Sequence, residues 1–375
     1  DPYLRVTDDI DGLTRPFNGT YDIGADEYGA YKIYRSNGPG NTTALDDDNS
    51  GTDTMTIASD GTVTFSASIA DNVGVGDAIV YNAEGTGFDT IVFISARASS
   101  TEYTVQDEDG TTPDVTVTNE DDWSIFRAYT SLANAEAGTI NTAISSLGIT
   151  FDSWTGGRDL VANNEQWNIA CFGDDVETIS SAITVNSWAT SEQYHLRIFT
   201  PYKSTEVGVS QRHNGVWDTD KYNLYSASQS MIILNNPNII VEGLQLKLNT
   251  NSTYRRGVMI DNDSYDAGFY EITNNIIHDS SSVDTDTHSG IVFASTVNST
   301  YNLIANNIIY GVRGYGIYLN YQAIVINNTV YGSNYGIRVI SNSSNYVYNN
   351  ISINNKRLDY TSSASTNAAN NISGD

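Results

Sequence analysis

The sequence predicts an all-β chain: a right-handed parallel β-helix, a solenoid of stacked coils, with a small antiparallel β-barrel or sandwich module inserted near its start. Three observations predict it. An Asn doublet ahead of a short apolar strand recurs as Asn274-Asn275-Ile276-Ile277, Asn306-Asn307-Ile308-Ile309, Asn327-Asn328-Thr329-Val330, Asn349-Asn350-Ile351 and Asn370-Asn371-Ile372, at steps of 32, 21, 22 and 21 residues. A second segment interleaves with it, as Gly257-Val258-Met259-Ile260, Gly290-Ile291-Val292-Phe293, Gly316-Ile317-Tyr318-Leu319 and Gly336-Ile337-Arg338-Val339. Residues 37–122 break that rhythm with short alternating segments between Gly- and Asp-rich turns. Strands this short bury no face alone, but equivalents stacked at about 4.8 Å pair with one another above and below.

In chain order, residues 1–36 have the form of a segment that closes a β-helix, above all Tyr21-Asp22-Ile23-Gly24-Ala25-Asp26-Glu27-Tyr28, yet they come first. Their expected role is to complete a neighbouring unit. Over 37–122, the stretches 54–58, 62–66, 78–81, 90–95, 103–106 and 115–118 alternate as half-buried antiparallel strands do. That module is expected to fold independently. Residues 123–149 read as a linker and capping helix, with apolar positions at helical spacing over 133–147. Such a helix would protect the open end of the stack. Residues 150–375 supply the β-helix itself, in about ten coils at the strand spacing.

The Asn doublets have a physical reason. Asn tolerates the left-handed conformation of a tight bend, and its amide bonds to the next Asn in a stack. The expected ladder is Asn274, Asn306, Asn327, Asn349 and Asn370. On these motifs the chain resembles the pectate-lyase-like right-handed parallel β-helix superfamily over residues 130–375, with a closing segment of the Asp-Ile-Gly-Ala-Asp-Glu-Tyr type at the N-terminus. The resemblance implies a secreted bacterial surface protein, from a group that spans polysaccharide lyases, hydrolases, phage spikes and adhesins. The pectin-hydrolase pattern Asn-Thr-Asp, Asp-Asp, Gly-His-Gly and Arg-Ile-Lys does not occur here as a set, which leans against an enzyme.

Charge narrows the partners. Asp and Glu total 45 against 18 Lys and Arg, a formal net charge of -27, and that field repels phosphate backbones and anionic membranes. Neither nucleic acid nor membrane insertion is expected, the latter also because no run of about 18 apolar residues exists. Cys171 is the one cysteine, so no internal disulfide forms, and its apolar setting marks a small buried hydrophobe. The start without Met or signal peptide suggests a processed or truncated N-terminus. A polar, acidic, Tyr-rich composition fits an extracellular or cell-surface location.

Candidate site residues fall in three groups. The turn between the two repeated strands gathers Arg255 and Arg256 in one coil, His278, Asp279, Asp284, Asp286 and His288 in the next, and Arg313 after that. Of these, Asp284, Asp286, His288 and Arg313 are the candidates for a sugar groove with proton transfer, against exposed ion pairs of little worth. Tyr310, Tyr315, Tyr318, Tyr331 and Tyr335 alongside suit sugar stacking or a half-exposed sheet. Asp46, Asp48, Asp107 and Asp109 lie in turns that look like Ca²⁺ loops, but the twelfth position from Asp46 is Ile57, where such a loop needs a bidentate Glu. Solvated turns are the stronger reading, and no cofactor is expected beyond Ca²⁺ as a candidate. At the chain ends, Tyr3, Leu4, Val6, Ile10, Ile23 and Tyr28 look complementary to Ile351 and Ile372, so copies joined head to tail would build a filament. A structural or adhesive surface filament is the leading expectation. The alternative is a secreted protein that binds or degrades polysaccharide.

Overall fold

The computed structural model describes residues 29–49, 51–85, 87–154, 156–226, 229–249, 254–261, 268–280, 288–294, 301–340, 345–361 and 366–374. Among them, three parallel sheets hold nine, eight and seven strands. The first contains Tyr31–Asn37, Glu165–Cys171, Leu196–Phe199, Ile239–Glu242, Phe269–Thr273, Tyr301–Ala305, Ile324–Ile326, Asn345–Tyr348 and Thr366–Ala369. The second contains Val176–Ile179, Asn223–Ser226, Gln245–Leu248, Ile276–Asp279, Ile308–Tyr310, Thr329–Tyr331, Ile351–Ile353 and Ile372–Ser373. The third contains Ile183–Val185, Ile232–Leu234, Arg256–Ile260, Ser289–Phe293, Tyr315–Leu319, Tyr335–Val339 and Leu358–Thr361. From Glu165 onward the chain visits the sheets in that order, again and again. This is an all-β chain with the layered parallel sheets of a solenoid.

Register explains the sequence pattern. Within the first sheet Ile169, Ile198, Val241, Ile272, Ile304, Val325 and Val347 are successive partners, and all are buried. Leu224, Leu246, Ile277, Ile309 and Val330 line up in the second sheet, and Ile232, Val258, Ile291, Ile317 and Ile337 in the third. All belong to one core. Burying such a side chain is worth about 1.5–3 kcal/mol, against about 0.5–1.5 kcal/mol for a typical hydrogen bond. Apolar columns therefore hold the layers together, and polar columns fix how they register.

The Asn ladder runs one residue later than expected. Asn274, Asn306, Asn327, Asn349 and Asn370 take the left-handed conformation, with φ of 58, 59, 57, 55 and 57°. Their neighbours make the ladder: Nδ2 of Asn275 donates to Oδ1 of Asn307 (3.0 Å), Asn307 to Asn328 (2.9 Å), Asn328 to Asn350 (3.0 Å) and Asn350 to Asn371 (3.1 Å). The physical reason is direction. A residue at positive φ turns its side chain out of the bend, and the next one points inward, where Asn275, Asn307, Asn328 and Asn350 are fully buried. There each amide also donates to a strand carbonyl, such as Val241 O or Ile304 O, so no polar group is stranded.

The start of the stack departs further. Tyr31–Asn37 pairs along its whole length with Glu165–Cys171 of the same chain, so residues 31–36 open this stack rather than completing a neighbour. The helix expected over 133–147 is two, Leu132–Ala137 and Thr142–Ser145, because Gly138 takes the left-handed conformation (φ 65°) with the Trp154 ring against it. Leu132, Ala135 and Ile144 bury their apolar side in the core beneath.

Residues 46–126 contain one eight-stranded antiparallel sheet, in the order Asp46–Asp47, Trp123–Phe126, Ala78–Tyr81, Thr90–Arg97, Glu102–Gln106, Thr62–Phe65, Met55–Ile57 and Val117–Glu120. It thus takes in the strand just after residue 122. Alternation splits its faces: Ile79, Val92, Ile94, Trp123 and Ile125 enclose the module's own core, whereas Ala78, Val80, Phe93 and Phe126 join Ile33 and Trp167 in the core of the stack. Two buried arginines lock the junction. Arg127 lies between Asp77 and Asp174, with contacts of 2.8 Å to each, and Arg35 pairs with Asp152 at 2.6 Å.

Candidate functional site

Side chains that alternate away from the core form the outer face of the third sheet. Two columns run along it. One passes through Arg256, Ser289, Tyr315, Tyr335 and Leu358, the other through Met259, Val292, Tyr318, Arg338 and Thr361. Parallel in-register pairing brings like residues within about 4.8 Å of each other. Accordingly Tyr315 stacks on Tyr335 with centroids 4.8 Å apart, and Tyr318 leans on Tyr315 at 4.9 Å. The Arg338 guanidinium lies over Tyr315 at 5.0 Å and donates to its hydroxyl, while Arg357 lies over Tyr335 at 5.2 Å and donates to its hydroxyl at 2.7 Å. Cation–π contacts of this kind hold both cations at the surface.

The columns are interrupted at one layer. Ser289 and Val292 are small where the next layer carries Tyr315 and Tyr318, and a cleft of ≈ 310 Å³ opens there, lined by Tyr254, Arg256, Ser289, Val292, Ala294, Tyr315, Tyr318 and Asn320. Its walls belong to strands two layers apart, hence about 10 Å between backbones. Asn320 donates through Nδ2 to Ala294 O, while its Oδ1 and the Arg338 Nε–H are buried without a hydrogen-bond partner among the described residues. Unsatisfied groups of that kind mark a place prepared for polar contacts.

The sequence-predicted residues fall mostly elsewhere. Asp284 and Asp286 lie outside the described residues. His288 is fully buried, its Nδ1 2.7 Å from Asp279 Oδ2, and Arg313 sits beside the same carboxylate through its backbone N–H at 3.3 Å. The His288–Asp279 pair braces one turn, and the Arg313 N–H contact ties that turn to the next layer. His278, on the outer face of the second sheet, is pressed between Tyr310 (4.9 Å, 5° between planes) and Trp217 (4.5 Å), and burial with Lys247 nearby pushes its pKa down to about 4.

Among the proposed Ca²⁺ ligands, Asp46 accepts the N–H of Ala70, 24 residues away, while Asp107 accepts Asp114 N–H and Asp109 accepts Thr111 N–H within their own loop. No group of three metal-ligating side chains converges among the described residues. Burial keeps the Cys171 thiol protonated by raising its pKa. No helix among the described residues is long and apolar enough to cross a membrane. Of the junction residues, Tyr3, Leu4, Val6, Ile10, Ile23 and Tyr28 lie outside the described residues, and Ile372 is 57% exposed in the last layer.

Sequence reasoning found Tyr315, Tyr318, Tyr335 and Arg256 but missed Ser289, Val292 and Asn320. Their signal is relative: a small residue matters only once register sets it beside two tyrosines. No family model, no curated protein and no solved structure matches the chain.

Proposed function

We propose that the three sheets close into a right-handed parallel β-helix of an extracellular protein, whose third-sheet face holds a polysaccharide chain. Parallel crossovers are right-handed in about 98% of cases, which supports the hand. The observation that carries the function is the cleft: a one-layer gap in a Tyr/Arg ladder, with an apolar wall for a sugar ring and polar groups at its rim. Binding without cleavage fits best, because His288 and Asp279 have no exposed surface from which to move a proton to a sugar. The test is retention on a panel of immobilised polysaccharides. Tyr315→Ala with Tyr318→Ala should weaken retention about tenfold or more, since each ring contact is worth roughly 0.5–1.5 kcal/mol. Unchanged retention by the double variant would sink the reading.

A further inference from the structure

The cleft on the third sheet lies at the edge of a region with an unusual charge. Residues 287–358 contain no Asp or Glu at all, and they contain Arg313, Arg338, Lys356 and Arg357, in a chain of net charge -27. Three consecutive third-sheet strands, Ser289–Phe293, Tyr315–Leu319 and Tyr335–Val339, come from this stretch, which places Tyr315, Tyr318 and Arg338 on strands without a carboxylate. Arg256 faces them from the opposite wall and makes no ion pair among the described residues, though the charge of Asp261 reaches it. Screening confines the field of the distant carboxylates: at physiological salt it fades over about 8 Å. A ligand in the cleft therefore meets Arg256, Arg338 and the nearby charge of Asp261 rather than the net charge of the molecule.

Shape adds a second constraint. A ring in contact with both walls needs two separations of about 3.5–4.0 Å, and the walls stand on backbones about 10 Å apart. One ring fits between them. The tyrosines are stacked on one another, so most of their faces are already covered, and what they offer the cleft is one free ring face with hydroxyls beside it. Such a surface suits a sugar, which needs one apolar contact and many polar ones. It suits a run of nucleobases less, because each base wants a free aromatic face.

We propose, building on the polysaccharide reading, that the cleft is the anchoring subsite for an anionic glycan: one ring enters between Tyr315 and Arg256, and its carboxylate or sulfate is held by Arg256 and, one sugar further along, by Arg338. Charge-assisted contacts from a guanidinium recognise both kinds of anion.

The experiment uses the full chain and three matched oligosaccharide sets, neutral, uronate-bearing and sulfated, with calorimetric titration at low and high salt and poly(dT) as competitor. The anionic sets should bind at least about tenfold more tightly than the neutral set at low salt, with the gap closing at high salt. Arg256→Gln should lose about tenfold for the anionic sets and leave neutral binding alone. Ser289→Tyr, which completes the tyrosine column and fills the cleft, should abolish binding while the melting temperature holds. If that variant fails to fold, Arg256→Gln and Arg338→Gln carry the test. Preference for only uronate or only sulfate still supports the proposal and names the source. Equal affinity for neutral and anionic sets overturns it but leaves the polysaccharide reading intact. Binding of none of the three sets overturns both, and displacement of the glycan by poly(dT) at comparable affinity overturns the glycan assignment.

Discussion

Asn327 and Asn328 are adjacent and identical in chemistry, yet the fold asks different things of them. Asn327 supplies a left-handed bend at φ 57°, a conformation that costs most other L-residues roughly 1 kcal/mol. Asn328 is buried, donating to Asn350 Oδ1 and Ile304 O while its own Oδ1 accepts from Asn307. Asn328→Ala removes that side chain and strands buried partners on both neighbouring layers, at about 1–3 kcal/mol for each group left unsatisfied. Urea denaturation should therefore show Asn328→Ala clearly less stable than Asn327→Gly, which keeps the bend and touches no ladder. Equal midpoints would mean that the buried amides contribute nothing.

At the scale of the element, the third-sheet strands depend on a residue with no side chain. Gly257, Gly290, Gly316 and Gly336 are stacked one per layer, and a Cβ on Gly316 would stand 2.3 Å from Val330 Cγ1 and 3.0 Å from the Gly336 carbonyl. The corner between the second and third sheets is that tight because Ile277, Ile309 and Val330 fill it from the other side. Gly316→Val overpacks the corner and should cost about 1–3 kcal/mol or more, read as a lowered thermal midpoint. Gly316→Val combined with Val330→Ala should recover part of the loss, since the small residue then makes room. No recovery would place the strain in the backbone instead. The last layer follows the same rule with different residues: Asp359 takes the place in the glycine column and Ser352 the place of the branched side chain, and the Ser352 hydroxyl donates to the Asp359 carbonyl at 2.8 Å.

For the whole molecule, the antiparallel module keeps its own core on one face but lends the other face and two buried arginines to the junction with the stack, against the expectation of an independent insert. Asp77 is fully buried, and its carboxylate takes both contacts from Arg127 Nη1 at 2.8 Å. Asp77→Ala leaves part of a buried guanidinium without its counter-charge, and breaking such a pair from one side costs about 3–5 kcal/mol. A single cooperative melt at lower temperature should result, covering module and stack together. Separate melting of two units, with the stack unaffected, would restore the independent-module view. Deleting 37–122 is expected to be worse still, since it uncovers Ile33 and Trp167 by removing Ala78, Val80 and Phe93.

The sequence by itself determined the layers. Recurrent Asn doublets, interleaved Gly-Ile strands and alternation over 37–122 are local signals, because a two-residue period and a tight bend are properties of the chain before it folds. Tyr315 and Tyr318 were legible as candidates on a half-exposed sheet face, and Arg256 as a basic residue of the turn ahead of the Gly-led strand. What only the tertiary structure decided was register. It moved the amide ladder from Asn327 to Asn328, since inward direction depends on the bend's geometry and not on the residue type. It turned His288 from a groove residue into the buried partner of Asp279. It joined Arg35 and Arg127 to carboxylates 117 and 50 residues away, and it set Ser289 beside Tyr315 so that a missing side chain became a cleft. Contacts between layers depend on which residues end up 4.8 Å apart, a distance that folding sets and sequence spacing does not.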